Sequence, residues 1–194
     1  MNASATPAVP PETEGTHTPR WRMLALLCAA ELLGMSLWFT ASAVGPELQA
    51  TWGLSAGQTG WLTTVVQLGF VAGTAAAALL NLADLVPARR LFGVSALLGA
   101  GANLALLAAP GYAPALLLRF LTGFFLAGVY PPAMKMAATW FRSSRGLAIG
   151  ALVGALTVGK ATPYLVGALG GPGLAFVIWT TTLGAAFAAL LVLT

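Results

Sequence analysis

Residues 81–93 read NLADLVPARRLFG, and they hold Asp84, Arg89 and Arg90, three of the fourteen Asp, Glu, Lys and Arg residues in the chain. Long apolar runs flank them on both sides. A soluble domain carries roughly a quarter charged residues and just under half apolar ones, whereas this chain has 7% and 58%, with a mean hydropathy of +0.86. That balance belongs to a membrane protein. A polar island between two apolar runs is then a loop where the chain leaves the bilayer.

Working outward, a length of 194 residues allows about six transmembrane helices at roughly 20 apolar residues per span. Apolar runs broken by Pro, Gly or charge place them near 23–44, 59–80, 91–109, 113–136, 146–167 and 173–194. The third and fourth are parted by A-A-P-G-Y-A-P, a tight-turn signal with Tyr112 suited to the water interface. The fifth and sixth are parted by G-A-L-G-G-P-G. The predicted class is an all-α integral membrane protein.

Orientation follows from the bases. Arg20 and Arg22 precede the first span, Arg89 and Arg90 lie between the second and third, and Arg142 and Arg145 lie between the fourth and fifth. The connections on the other side hold Glu47 and no Lys or Arg. Six bases against none is a strong positive-inside signal, which predicts a multi-pass protein of the cell (plasma) membrane with both termini cytoplasmic. Residues 1–19, MNASATPAVPPETEGTHTP, lack an apolar face and predict a disordered tail; a secretory signal would start basic and end at a cleavage site. Cys28, the only cysteine, falls in the first span and reads as a small packing residue. The pI near 9.9 reflects membrane orientation and not nucleic acid.

Four charges enter the predicted spans: Glu31, Arg119, Lys135 and Lys160. Lys135 is near the cytoplasmic end of its span and reads as a snorkelling anchor. At 1.5 Å per residue Glu31 lies roughly 12 Å from the cytoplasmic edge, and Arg119 and Lys160 both lie roughly 21 Å from it. A charge at such depth costs about 2.5–3.5 kcal/mol, so it faces a bundle interior or a wet cavity. One reading is a helix-to-helix tie of Glu31 with Arg119. The other sets Arg119 and Lys160 toward an anionic substrate group, with Glu31 balancing charge or carrying a proton.

Trp38, Phe39 and Tyr130 are candidates to line that cavity. Gly69 and Gly73, and again Gly146, Gly150 and Gly154, recur at helix-interface spacing. Pro131 and Pro132 remove two backbone donors and predict a kink or break in the fourth span. An enzyme is not indicated, because the only histidine, His17, is in the tail and no span pairs a nucleophile with a base. No cofactor motif and no metal-ligand spacing is present.

The loop and its surroundings resemble the amino-terminal half of a major facilitator superfamily transporter. The family's loop between its second and third helices reads Gly-x-Leu-Ala-Asp-Arg-x-Gly-Arg-Arg or Lys; Leu82, Ala83, Asp84 and Arg89 match it, while Leu80, Leu85, Pro87 and Ala88 depart from it. The stretch R-F-L-T-G, Arg119 to Gly123, resembles the family's Arg-x-x-x-Gly pattern in the fourth helix, and 45–61 resembles its first outer loop. G-A-L-T-V-G-K-A-T-P is only loosely similar to the antiporter motif, with Lys160 where proline is expected.

What the resemblance implies is a six-helix domain over 20–194, built from two three-helix units, in a secondary transporter (symporter or antiporter, inner membrane) that moves a small anionic or zwitterionic solute by alternating access. The buried charges point to Arg119 and Lys160 for substrate, Glu31 for proton coupling, and Trp38 and Tyr130 for the substrate-cavity wall, while the resemblance implies a central-cavity role for Arg119 and a cytoplasmic gate for Asp84, Arg89 and Arg90. Expected partners are the solute, membrane lipid and a second six-helix half, either a carboxy-terminal domain or another copy, because the sixth predicted span is still running at Thr194. A non-transporting membrane interaction module is the alternative, and the buried charges argue against it.

Overall fold

The structure, a computed structural model, describes residues 17–169 and 173–194, and every regular element in them is helical. Of the predicted tail, residues 1–16 lie outside the described residues, as do 170–172 of the last connection. Helix α1 (His17–Met35) begins the described chain. It is followed by the short α2 (Thr40–Ala43) and by α3 (Gly45–Trp52), which Pro46 opens in its first turn and Gly53 closes with a left-handed φ of 62°. Helix α4 (Ala56–Leu79) starts from a capping box in which Ser55 and Gln58 satisfy each other's backbone N–H at 3.2 and 2.8 Å, a reciprocal arrangement that closes two orphan donors.

The 81–93 stretch is a hinge between helices. Asn81 adopts a left-handed φ of 49°, a region Asn tolerates through local side-chain bonding. Its carbonyl accepts from the N–H groups of Asp84 and Leu85 at 3.0 and 3.1 Å, which makes the single turn α5 (Leu82–Leu85). Val86 is extended, as a residue before proline tends to be, and Pro87 stands at the N-cap of α6 (Ala88–Ala105). A 3₁₀ turn over Leu106–Ala108 ends that rod.

Then come α7 (Tyr112–Leu126), α8 (Tyr130–Trp140), α9 (Arg145–Ala168) and α10 (Leu174–Leu193). The predicted kink falls between α7 and α8. There Gly128 and Val129 donate back three residues, to Phe125 and Leu126, at 2.9 and 3.0 Å. Pro131 and Pro132 lack the N–H groups that would have continued the four-residue ladder, and they restart the helix as its opening residues.

Five stretches among the described residues are long and apolar enough to cross a membrane: Ala56–Leu79, Ala88–Ala108, Tyr112–Trp140, Arg145–Ala168 and Leu174–Leu193. The first predicted span, 23–44, is not among them. Helix α1 carries Arg20, Arg22 and Glu31, and the chain unwinds over Ser36–Phe39 before α2. Ser36 Oγ takes the Leu33 carbonyl at 2.6 Å, a local side-chain bond that competes with the helical ladder.

Helix α4 packs chiefly on α7, α6 on α10 and α7, and α1 on α9 and α10. Small residues bring α4 and α7 together: a Cβ on Gly69 or Gly73 would run into the carbonyls of Phe120 and Phe124, and one on Gly123 into that of Val66. The stripe of Gly146, Gly150 and Gly154 on α9 does not serve this purpose. A Cβ at any of the three meets nothing within 4 Å, because that face of α9 points outward. Two apolar clusters form the interior. One, at the end bearing Arg89 and Arg142, centres on Leu27, Phe92, Ala137, Phe141 and Leu152; the other, at the far end, centres on Val44, Leu62, Ala115 and Ile178.

Candidate functional site

The unwound segment Ser36–Phe39 leaves backbone carbonyls without helical partners inside an apolar bundle, where an unsatisfied group costs several kcal/mol. Arg119, fully buried on α7, supplies the donors. Its guanidinium bonds the Leu37 carbonyl at 3.1 Å, the Trp38 carbonyl through a short contact, and Asn103 Oδ1 at 3.3 Å. Asn103 on α6 in turn donates to Thr181 and Thr182 of α10 at 3.3 and 3.0 Å, and Thr40 donates to Thr181 at 3.3 Å. A buried polar network thus joins the break to α6, α7 and α10. Sequence reading passed over Asn103, Thr40, Thr181 and Thr182, although an amide inside an apolar run was the available signal.

Trp38 lies on that break, and its ring faces the other way. Lys160, half-buried on α9, holds its ammonium 4.0 Å from the centre of the indole, a cation–π distance. The two bases predicted at one depth therefore both meet Trp38, Arg119 at its carbonyl and Lys160 at its face. Their tasks differ. Arg119 has both terminal nitrogens engaged by protein acceptors, whereas Lys160 keeps an ammonium on an aromatic surface.

Glu31 is buried, and neither carboxylate oxygen has a hydrogen-bond partner. The tie to Arg119, one of the two readings of these charges, is not formed. Glu31 lies within electrostatic reach of Lys160 without an ion pair between them. What brings them together is the crossing of α1 and α9, where a Cβ on Gly159 would collide with the Leu32 carbonyl. Gly159 precedes Lys160 and Leu32 follows Glu31, so this close approach sets the two charges side by side. Pro163, one turn further along α9, offers no N–H to the Gly159 carbonyl. Phe70 packs on Trp38 at 5.1 Å between ring centres, and Phe39 on Tyr164 at 5.9 Å. Tyr130, at the start of α8, is partly buried against the core.

From the middle of α8, Lys135 turns to the 81–93 loop. It donates to the Ala83 carbonyl at 2.5 Å and pairs with Asp84 at 3.7 Å; as an exposed pair this contributes about 0–1 kcal/mol. Arg89 reaches the last turn of α10, bonding the carbonyls of Val192 and Leu193 at 2.8 and 2.7 Å, where a cation complements the helix dipole. Arg90 stands exposed. Glu47 does the converse at the far end, accepting the Leu174 N–H at the start of α10 at 2.6 Å.

This arrangement provides a buried carboxylate, a half-buried base and aromatic walls on the side of the bundle formed by α1 and α9, with Arg119 fixing the backbone at Leu37 and Trp38. Among the described residues no cluster of His, Cys, Asp or Glu is grouped to hold a metal ion. A family model described as Major Facilitator Superfamily matches residues 26–194. No curated protein is similar enough to count as a match.

Proposed function

The chain belongs to the major facilitator superfamily, a family of multi-pass membrane transporters, and from that membership we propose that it moves a small anionic or zwitterionic solute across the cell (plasma) membrane by alternating access, driven by a proton or ion gradient. The observation that carries this reading is Glu31, buried with both oxygens unpartnered beside Lys160. A structural carboxylate in an apolar bundle is expected to be hydrogen-bonded, so one held without a partner fits a group that exchanges a proton or a ligand.

In this reading Lys160 meets the substrate's negative charge, Glu31 couples the gradient, and Trp38 and Tyr130 wall the site. Arg119 positions Trp38 by fixing the backbone beneath it. Asp84, Arg89 and Arg90 form the cytoplasmic gate. The loop is tied to α8 through Lys135 and to α10 through Arg89, which couples it to elements that would have to shift together. Helices α1 and α2 would make the first of six spans, in two three-helix repeats with both termini cytoplasmic.

A second six-helix half completes the cavity. Of the five candidate spans α4 and α9 bury the smallest share of their length, which supports these as the faces it would cover. Liposome reconstitution with oligomeric state measured alongside uptake tests the reading. Uptake is expected from paired units only, and uptake by a demonstrated monomer would contradict it.

A further inference from the structure

Glu31 and Lys160 are neighbours that do not join. An ion pair would have satisfied both charges within the protein. Here Glu31 presents two buried oxygens that accept no hydrogen bond, and the Lys160 ammonium rests on the Trp38 ring. Each charge keeps an unmet demand of opposite sign, and that of Lys160 lies on an indole face that attracts cations.

Resting on the transport reading above, we propose that this site takes a zwitterion, with ammonium and carboxylate on one small apolar-bodied molecule, and that Lys160 marks the position the substrate's ammonium takes. In the exchange Lys160 leaves the indole for the substrate's carboxylate. The substrate's ammonium replaces it on Trp38, within reach of the Glu31 oxygens. Phe70 beside Trp38, and Phe39 with Tyr164, furnish the wall for the apolar body.

With Glu31 ionised, charge balance disfavours the simpler ligands. A lone anion on Lys160 would leave Glu31 unsatisfied and set a second negative charge beside it, and a lone cation on Glu31 would do the same to Lys160. Like charges brought together in a low-dielectric site oppose binding. A zwitterion meets both demands and adds no net charge to the bundle.

The test is calorimetric titration of the purified 194-residue chain with three probes that share one aromatic body: phenylalanine, 3-phenylpropionate and 2-phenylethylamine. Phenylalanine is expected to bind about tenfold or more tightly than either singly charged analogue. Lys160→Gln should raise 2-phenylethylamine relative to phenylalanine, and Glu31→Gln should raise 3-phenylpropionate. Melting of each unliganded variant checks its fold; should a variant unfold, the ranking of the three probes on the unaltered protein decides alone. Binding of 3-phenylpropionate as tightly as phenylalanine overturns the zwitterion proposal and leaves anion transport standing. Binding of none of the three by a chain shown to be paired overturns the proposal and removes the site from the transport reading as well.

Discussion

Arg119→Met removes the donors that hold the unwound segment. It leaves the Leu37 and Trp38 carbonyls and Asn103 Oδ1 without the guanidinium that now serves all three. At about 1–3 kcal/mol for each buried group left unsatisfied the ceiling is high. Interhelical hydrogen bonds in membranes average about 0.6 kcal/mol, so three of them set a floor of about 2 kcal/mol. Relief of a buried charge and its unpartnered Nε offsets part of the difference, which places the expected loss near that floor, at about 2–4 kcal/mol. For a chain of this size that is a fall in Tm of about 4 °C or more. Arg119→Lys should recover only part of it, since a lysine ammonium is a point charge without the planar fork. Thermal unfolding in detergent reads the shift. A melting point unchanged by Arg119→Met would refute the view that Arg119 supports the break and return it to the substrate.

Three further outcomes follow from named contacts. Gly123→Leu drives a side chain into the Val66 backbone and should destabilise by about 1–3 kcal/mol or more, whereas Gly150→Leu, on an open face, should leave the melting point unchanged. Asp84→Asn, which loses only an exposed pair with Lys135, should change stability by less than about 1 kcal/mol while slowing uptake; an uptake rate equal to the unaltered protein would remove the loop from gating. Glu31→Gln should abolish the pH dependence of uptake, measured as initial rate against external pH, and a retained dependence would exclude Glu31 from coupling.

The membrane class, the position of the loop and the α7–α8 break were legible because each rests on local chemistry: apolar run length, a charge island, two missing N–H groups. The boundaries of α4, α9 and α10 fall within a few residues of the apolar runs for the same reason. The break at Ser36–Phe39 was not legible. No proline or glycine lies in S-L-W-F, and what sustains it is Arg119, 81 residues away from Trp38. Arg119 and Lys160 both contact Trp38, but depth fixes position along a helix and not which side of Trp38 each base approaches. Spacing likewise told nothing of which glycine stripe faces inward: Gly69 and Gly73 meet backbone, and Gly146, Gly150 and Gly154 meet none.

Glu31 and Lys160 are proposed as the working charges of a gradient-driven transporter. That assignment is tested most directly in liposomes that carry the protein and a trapped pH-sensitive dye, challenged with a mixture of amino acids and small carboxylates. Solute-dependent proton flux above that of protein-free liposomes is expected, lost in both Glu31→Gln and Lys160→Gln. Proton flux that either substitution leaves intact would contradict the assignment.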